Sequence, residues 1–154
     1  MVLEVMRLGE PVLMKEALPV RDFGSPRLRK LVADMWDTMH AEGGVGIAAP
    51  QVGVLKRCVV IDAGDGLIEL VNPEIVSMEG SVIGAEGCLS IPGRRCTVDR
   101  PEKVTVIAQN RDGESIRLEA EGLLAVAICH EVDHLDGILY IDKMIEDVTD
   151  QMED

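Results

Sequence analysis

The first long run of periodic apolar positions in the chain has the spacing of an amphipathic α-helix. Ser25 followed by Pro26 is a typical helix start, because the serine side chain can cap the first turn and proline fits the first helical position. Gly43 and Gly44 favour the end of this helix. We interpret His40, in the last turn, as a solvated histidine favoured by the helix dipole and not as a ligand. The apolar stripe consists of Leu28, Leu31, Val32, Met35, Trp36 and Met39.

Beyond this helix the pattern changes to short runs rich in β-branched residues, which is typical of strands. The Asp112-Gly113 pair between two such runs is a hairpin signal, and another turn is marked by Gly64, Asp65 and Gly66. The order of helix, several antiparallel strands and helix is that of an α+β protein and not of an alternating parallel α/β protein. The predicted strands occupy residues 58–61, 67–71, 104–108 and 115–118.

A second helix is predicted from residue 119 or 120 to residue 136, with Gly137 at its C-terminal end. Residues 123–129 are all apolar, which indicates a buried helix. Gly122 disfavours helix in the first turn of this segment. We therefore expect antiparallel strands packed around a buried C-terminal helix, within a single domain that spans residues 1–154.

Composition narrows the classes of function. The chain has 154 residues, of which 47% are apolar, so it can bury a core as one globular domain. Its formal net charge of −13 argues against binding to nucleic acids or anionic membranes, because both are negatively charged. We see no secretory signal and no apolar run long enough to span a bilayer. The four cysteines form no C-x-x-C pair, which favours free thiols in a reducing compartment.

Candidate chemistry is concentrated in the segment His130-Glu131-Val132-Asp133-His134, which contains two of the three histidines of the chain. On a helix, positions i and i+4 lie on the same face, so both imidazoles can bind one metal ion. Glu131 can then act as general base toward a water molecule at that ion. The alternative is a pair of core histidines whose rings are satisfied by backbone carbonyls.

A catalytic metal site of this kind normally has a third protein ligand. Some metalloproteases use a histidine six residues after the second histidine, and this chain has Tyr140 there. Others use a glutamate some twenty or more residues downstream, and here only Glu146 and Glu153 follow. The third ligand is therefore expected upstream. Cys129 lies about 100° round the helix from its histidine neighbour and cannot easily reach the same ion. Cys88 differs from the other cysteines, because glycine precedes it and proline follows it in a segment that can project a thiolate.

Three separated motifs resemble those of the peptide deformylase family, in the same order and spacing. Residues 44–51 (GVGIAAPQ) match its first motif, G-x-G-Φ-A-A-x-Q, residues 86–90 (EGCLS) match its second, and residues 130–137 (HEVDHLDG) match its third, H-E-x-D-H-L-x-G. The likeness extends over nearly the whole chain. Cys129 departs from it, because the family usually has Gln there, and we expect this change to alter neighbouring hydrogen bonds more than metal ligation. The resemblance implies the peptide deformylase fold.

The resemblance also implies a metal-dependent hydrolase that removes the formyl group from N-formylmethionyl peptides and releases formate. In such an enzyme Cys88, His130 and His134 bind one divalent metal ion and leave a fourth position for water. Glu131 would accept a proton from that water and deliver it to the departing amine. The native ion implied by the resemblance is Fe²⁺, with Zn²⁺, Ni²⁺ or Co²⁺ in purified protein.

Other roles implied by the resemblance concern the substrate. The side-chain amide of Gln51 and the backbone N–H of Leu89 would stabilise the oxyanion formed at the formyl carbon. Val45 and Gly46 would pair with an extended peptide, and Gly44 and Gly46 would permit its close approach. We expect the methionine pocket to draw on Val45, Leu89, Leu123, Val126 and Ala127.

The resemblance further implies a bacterial cytoplasm or an organelle as the location, with transient proximity to the ribosome. Some bacterial deformylases dock on the ribosome through a basic C-terminal helix. Here the segment after Lys143 has no Lys or Arg, so we expect no such phosphate-driven contact. Its acidic residues are Glu146, Asp147, Asp150, Glu153 and Asp154.

Three other interpretations stay open beside the deformylase. One is a small zinc endopeptidase, a second is a protein with a purely structural metal site, and a third is a deformylase-like protein without activity. The Cys88 motif and the missing downstream ligand count against the endopeptidase. A structural site usually has four protein ligands, and only three can be named here.

A further expectation concerns Arg95 and Glu86. We expect them to form an ion pair that supports the site, or both to be solvated.

Overall fold

The first helix is where the periodic apolar pattern predicts it. The computed structural model describes residues 1–151, so the predicted acidic residues Glu153 and Asp154 lie outside the described residues. Helix α1 spans Pro26–Ala41. The hydroxyl of Ser25 accepts a hydrogen bond from a backbone N–H of the first turn at 3.1 Å, which confirms the predicted cap. Gly43 follows with a φ of +68°, a left-handed conformation that ends helices and favours glycine.

The strands form two antiparallel sheets. Within residues 1–151 the strands are β1 Gly46–Ala48, β2 Cys58–Ile61, β3 Ile68–Glu79, β4 Val82–Cys88, β5 Ile91–Arg100, β6 Lys103–Gln109, β7 Ser115–Glu121 and β8 Glu146–Asp147. The large sheet has the order β1-β2-β3-β6-β7, and the small sheet has the order β4-β5-β8.

The large sheet contains all four predicted strands. Strand β3 is longer than predicted, because its first half pairs with β2 and its second half continues alongside β6. The predicted hairpin is also present, since β6 and β7 pair in continuous register on either side of the turn at Asp112 and Gly113. The small sheet was not predicted. Its strand β4 contains two glycines, and the first five residues of β5 include proline, glycine and two arginines, so neither has a strong strand pattern.

The second helix, α2, spans Leu123–Leu135 and begins later than predicted. Residues 119–121 continue β7 instead, and they pair with residues 103–105 of β6. Gly122, with a φ of +63°, separates the strand from the helix. The prediction of helix from residue 119 or 120 was therefore wrong. Cross-strand pairing holds Glu119 and Ala120 in the sheet, although both residues are good helix formers.

The two helices pack on opposite sides of the large sheet. Alternate residues of β2 show this arrangement: Val59 and Ile61 contact the cluster around α2, whereas Cys58 and Val60 contact the cluster around α1. All four side chains are fully buried. The α+β class, with antiparallel strands around a buried C-terminal helix, is confirmed. No helix within residues 1–151 is long and apolar enough to cross a membrane.

A third apolar cluster joins the small sheet to the segments on either side of it. It includes Leu13, Ile91, Cys96 and Tyr140, all of them buried. The packing brings the end of β4, where Cys88 lies, toward the buried histidines of α2. Short 3₁₀ helices complete the connections, at Pro11–Met14, Ala49–Val52, Tyr140–Lys143 and Thr149–Gln151.

Candidate active site

The thiol of Cys88 and the two histidines of α2 converge on one point. One donor atom from each of Cys88, His130 and His134 lies within 4.8 Å of the other two. The Sγ atom of Cys88 is 3.3 Å from Nε2 of His134. Cys88 is the last residue of β4, and the helical spacing of four residues places both imidazoles on the same face of α2.

The hydrogen bonds of His130 determine which of its nitrogens can bind a ligand. Its Nδ1 atom is 2.9 Å from a carboxylate oxygen of Glu86, and as an N–H it donates to that oxygen. In the neutral ring the lone pair is then on Nε2, the other nitrogen. Burial lowers the pKa of His130, but the charge of Glu131 and the hydrogen bonds with Cys88 and Glu86 raise it to about 10, so a metal ion would have to displace a proton from this ring. Burial, which disfavours the imidazolium, lowers the pKa of His134 well below its ordinary value. A neutral imidazole is the form that binds a metal ion.

An arginine on β5 completes the support of His130. Arg100 donates to both carboxylate oxygens of Glu86, with Nε at 2.8 Å and Nη2 at 3.0 Å, and its Nη1 atom donates to Asp133 at 2.7 Å. Burial raises the pKa of Glu86, but the hydrogen bonds from His130 and Arg100 lower it more strongly, to about 2. Glu86 is therefore an anion that fixes the orientation of the His130 ring.

The predicted ion pair between Arg95 and Glu86 is wrong. Glu86 is paired with Cys96 across β4 and β5, so Cys96 and Arg100 share the face of β5 that Glu86 contacts. Arg95, one residue earlier than Cys96, points to the opposite face and donates to the backbone carbonyl of Ala85 at 3.1 Å. Because side chains alternate between the two faces of a strand, Arg100 and not Arg95 lies on the face of Glu86.

Glu131 follows His130 directly on α2 and is buried. Its side chain is 4% exposed, and its Oε1 atom has no hydrogen-bond partner among residues 1–151. Burial raises the pKa of Glu131 to about 7, although His130 acts to lower it. A carboxylate with a pKa near neutrality is well suited to accept and return a proton. Its unpartnered, buried oxygen still requires a polar partner.

The donor set fits a divalent metal ion. Two buried imidazoles and one thiol can supply three protein ligands, which is the usual number for a catalytic site that keeps a fourth position open. Glu131, whose Oε1 atom is buried and unpartnered, lines the same cleft as Cys88 and His130, as expected for a group that interacts with a ligand of the metal.

Gln51 is held with its amide nitrogen toward the cluster. Its Oε1 atom accepts a hydrogen bond from the backbone N–H of Ala48 at 2.9 Å. Its Nε2 atom is 3.5 Å from Sγ of Cys88 and 3.2 Å from Oγ of Ser90. The side chain is only 1% exposed. Sequence reasoning missed Ser90, and the hydroxyl directly after the Cys88-Leu89 pair was the only signal for it.

A cleft of about 420 Å³ opens beside these residues. The predicted site residues all line it except His134, which is almost completely buried, so the structure brings the predicted set together. Leu123 is 58% exposed and Val45 is 39% exposed, so both are accessible to a ligand. The residues of the cleft with predicted roles are Val45, Gly46, Gln51, Cys88, Leu89, Leu123, Val126, Ala127, His130 and Glu131.

The close approach of a peptide to the two glycines of the first motif stays a prediction, but both glycines also lie close to side chains of the protein itself. A Cβ atom on Gly46 would lie 2.8 Å from Oε2 of Glu131, and one on Gly44 would lie 2.8 Å from Cδ1 of Leu89. Their missing side chains therefore make room for the protein's own residues.

A second residue that sequence reasoning missed is Tyr140, whose ring centroid lies 5.8 Å from that of His130.

The polypeptide deformylase profile matches residues 2–149. This chain belongs to the peptide deformylase family. The peptide deformylase of Acetivibrio thermocellus is 58% identical over 146 residues, which cover 94% of this chain and 85% of the relative. That of Caldicellulosiruptor bescii is 54% identical over 151 residues, which cover 98% of this chain and 91% of the relative.

Solved structures of peptide deformylases have the same fold. The enzyme of Thermotoga maritima superposes with a TM-score of 0.92 at 39% identity, over 94% of this chain and 99% of that one. The enzyme of Legionella pneumophila gives a TM-score of 0.90 at 44% identity, over 94% of this chain and 87% of that one. Peptide deformylases are metalloenzymes that remove N-terminal formyl groups from nascent polypeptides, so the predicted family and class of reaction are confirmed.

Proposed function

We propose that the chain acts as a single catalytic domain, and that its cleft is where the formyl group is removed from formyl-methionyl polypeptides. The observation that carries this proposal is the convergence of Cys88, His130 and His134 beside the buried, unpartnered carboxylate of Glu131. In the reaction the oxygen of water bonds to the formyl carbon and the C–N bond breaks. The products are formate and a free α-amine.

The proposed metal ligands are Cys88, His130 and His134. A divalent ion bound there would lower the pKa of a water molecule and polarise the formyl carbonyl. Glu131 accepts a proton from the attacking water and returns it to the departing amine. Its raised pKa, about 7, suits both steps near neutral pH. Glu86 and Arg100 keep the His130 ring in the orientation that directs its Nε2 atom to the ligand side.

The oxyanion that forms at the formyl carbon needs hydrogen-bond donors. We assign this role to the side-chain amide of Gln51 and to the backbone N–H of Leu89, the residue next to Cys88. The bond from Ala48 to the Gln51 oxygen leaves the amide N–H groups on the side of the cluster. Removal of one such donor typically costs on the order of 3 kcal/mol in the barrier.

The substrate would bind as an extended chain along the edge of the large sheet. Among residues 1–151, strand β1 pairs with β2 on one side only, so its other edge, at Gly46 and at Val45 just before it, is available to a peptide backbone. The apolar side chains of Leu123 and Val126, at the start of α2, line the same cleft and would contact the methionine side chain. Main-chain pairing would make binding largely independent of the residues that follow methionine.

Formate release from a formyl-methionyl peptide tests the proposal, with casein cleavage measured on the same samples. We expect deformylation in metal-loaded protein and no cleavage of casein. The matched control is Glu131→Gln, because it keeps the size of the side chain and removes the base. Casein cleavage without formate release would favour the endopeptidase instead. No activity on either substrate, with metal bound, would favour a structural site.

We further propose that the native ion is Fe²⁺. Two imidazoles and a thiolate suit Fe²⁺ and Zn²⁺ alike, so the support is the resemblance to deformylases, in which ferrous iron is usual. Fe²⁺ and its thiolate ligand can both be oxidised in air, whereas Zn²⁺ has no redox chemistry. Anaerobic iron-loaded protein should be the more active form and should lose activity in air, while Ni²⁺ or Co²⁺ protein should resist this loss. Equal, air-stable activity with zinc and iron would exclude iron.

The cellular setting we propose is the bacterial cytoplasm, close to but not docked on the ribosome. Of the described residues after Lys143, Glu146–Asp147 form the short strand β8, which pairs with β5, and Thr149–Gln151 form a 3₁₀ helix without Lys or Arg. We expect no salt-sensitive co-sedimentation with ribosomes. Tight binding at low salt that is lost when residues 146–154 are deleted would contradict this expectation.

A further inference from the structure

Ser90 is a fully buried hydroxyl that has no role in the chemistry described so far. Its side chain is 0% exposed, and its backbone carbonyl accepts a hydrogen bond from the N–H of Leu8 at 2.9 Å. A buried hydroxyl is unfavourable unless it is hydrogen-bonded. The partner of this one is the Nε2 atom of Gln51, which donates to Oγ at 3.2 Å.

The Gln51 amide is held at three points. Its oxygen accepts from Ala48, and its nitrogen lies near Oγ of Ser90 and Sγ of Cys88. The two N–H bonds of a planar amide lie in one plane with a fixed angle between them. When Ser90 binds one N–H, the direction of the other is set, and it points to the side of Cys88. The contact with Ala48 alone would still allow the amide plane to turn.

We propose that Ser90 is a positioning residue, which orients the Gln51 amide so that its second N–H, whose nitrogen is 3.5 Å from Sγ of Cys88, lies on the side where the formyl oxygen of a substrate would accept it. The inference rests on the proposed function, because it requires Gln51 to bind the oxyanion. Such donors accelerate a reaction only when they already point at the position where the charge develops. In this proposal two residues of one short segment have different roles: Cys88 binds the metal ion, and Ser90 orients the Gln51 amide.

A double-mutant cycle tests the proposal on the metal-loaded, full-length protein. Ser90→Ala should lower kcat for a formyl-methionyl peptide by about tenfold, the effect of one lost hydrogen bond of ordinary strength, with little change in KM. In the Gln51→Ala background the same substitution should change kcat less than twofold, since the group it acts on is gone. Ser90→Thr, which restores the hydroxyl, should recover part of the lost kcat.

Two measurements separate positioning from a general structural effect. A Co²⁺ titration, followed by the absorbance of the thiolate–cobalt bond, should give the same affinity for wild type and Ser90→Ala. Thr38→Val is the matched control, because Thr38 is also 0% exposed and its hydroxyl bonds the backbones of Leu3 and Asp34, in the α1 cluster. It should lower the melting temperature and leave kcat unchanged.

The outcomes distinguish this inference from the function on which it rests. If Gln51→Ala lowers kcat and Ser90→Ala does not, Ser90 has no positioning role and the proposed function stands. Equal losses from Ser90→Ala in both backgrounds, or a weaker Co²⁺ affinity, would also overturn the inference. If Gln51→Ala itself has no effect on kcat, Gln51 does not stabilise the oxyanion, and the inference about Ser90 is overturned with it. Should the alanine variant not fold, Ser90→Gly makes the same test.

Discussion

Alanine at position 46 would place a methyl group against the general base. The added Cβ atom would lie 2.8 Å from Oε2, 3.1 Å from Cγ and 3.3 Å from Cδ of Glu131. Gly46 has no positive φ, so its backbone accepts alanine and the effect is purely steric. Ordinary contacts begin at 3.4 Å, so the carboxylate oxygen must move by about 0.6 Å. Because Glu131 is buried, the carboxylate has little free space, and this movement changes its position relative to His130 and the cleft.

A misplacement of about 1 Å typically costs a hundredfold in rate, so a shift of this size should lower kcat on the order of tenfold. The assay is formate release from a formyl-methionyl peptide by metal-loaded protein, with the melting temperature measured in parallel. Gly44→Ala is the matched control: its Cβ also meets a side-chain atom at 2.8 Å, but that atom is Cδ1 of Leu89, the flexible end of a half-buried side chain. Equal kcat values for wild type and Gly46→Ala, with the fold retained, would refute the steric argument.

Other side chains of the site and the core give direct tests. Glu131→Gln should keep its metal and lose most turnover, because an amide cannot accept the proton of water; near-normal kcat at full metal occupancy would exclude Glu131 as the base. Cys88→Ser should sharply weaken Co²⁺ binding in a titration, and a normal affinity would show that the ligand has been misassigned. Replacement by serine of any cysteine outside the cluster should still leave one metal ion bound per chain; these cysteines are Cys58, Cys96 and Cys129. Burial raises the pKa of the Cys58 thiol from 9.0 to about 12, so its contribution to stability is present below pH 9 and is lost as the pH rises toward 12. In urea unfolding, the stability advantage of wild type over Cys58→Ala should therefore shrink by about 1.4 kcal/mol per pH unit in that window, and a constant difference would contradict the argument.

The residues that the sequence predicts well are those whose neighbours along the chain determine their geometry. His130 and His134 share a helix face because of their spacing, and the Ser25 cap acts on residues in its own turn. The same reasoning fails where partners come from another strand. Arg95 and Arg100 both lie on β5 within reach of Glu86 in sequence, and only the register of β4 against β5 decides between them. If the register of β4 against β5 were shifted by one residue, Arg95 and not Arg100 would lie on the face of Glu86.

Long-range packing also explains the remaining errors. Glu119 and Ala120 have helical propensity, but their pairing with β6 places them in a strand, and the sequence alone shows no such pairing. The contact between Gly46 and Glu131 was not predicted for a similar reason. Glycine indicates that another group approaches closely, and only the structure shows that the side chain of Glu131 is one such group.

Cys88 and His134 are 46 positions apart, and they belong to the small sheet and to α2 respectively. An ion held by both would therefore join two parts of the chain that the unfolded protein does not keep together. By mass action, metal at a hundredfold excess over its dissociation constant adds about 2.7 kcal/mol to the free energy of unfolding. In a cell short of that metal, more of the chain would be unfolded and open to proteolysis. The abundance of the protein, and not only its turnover number, would then follow the metal supply.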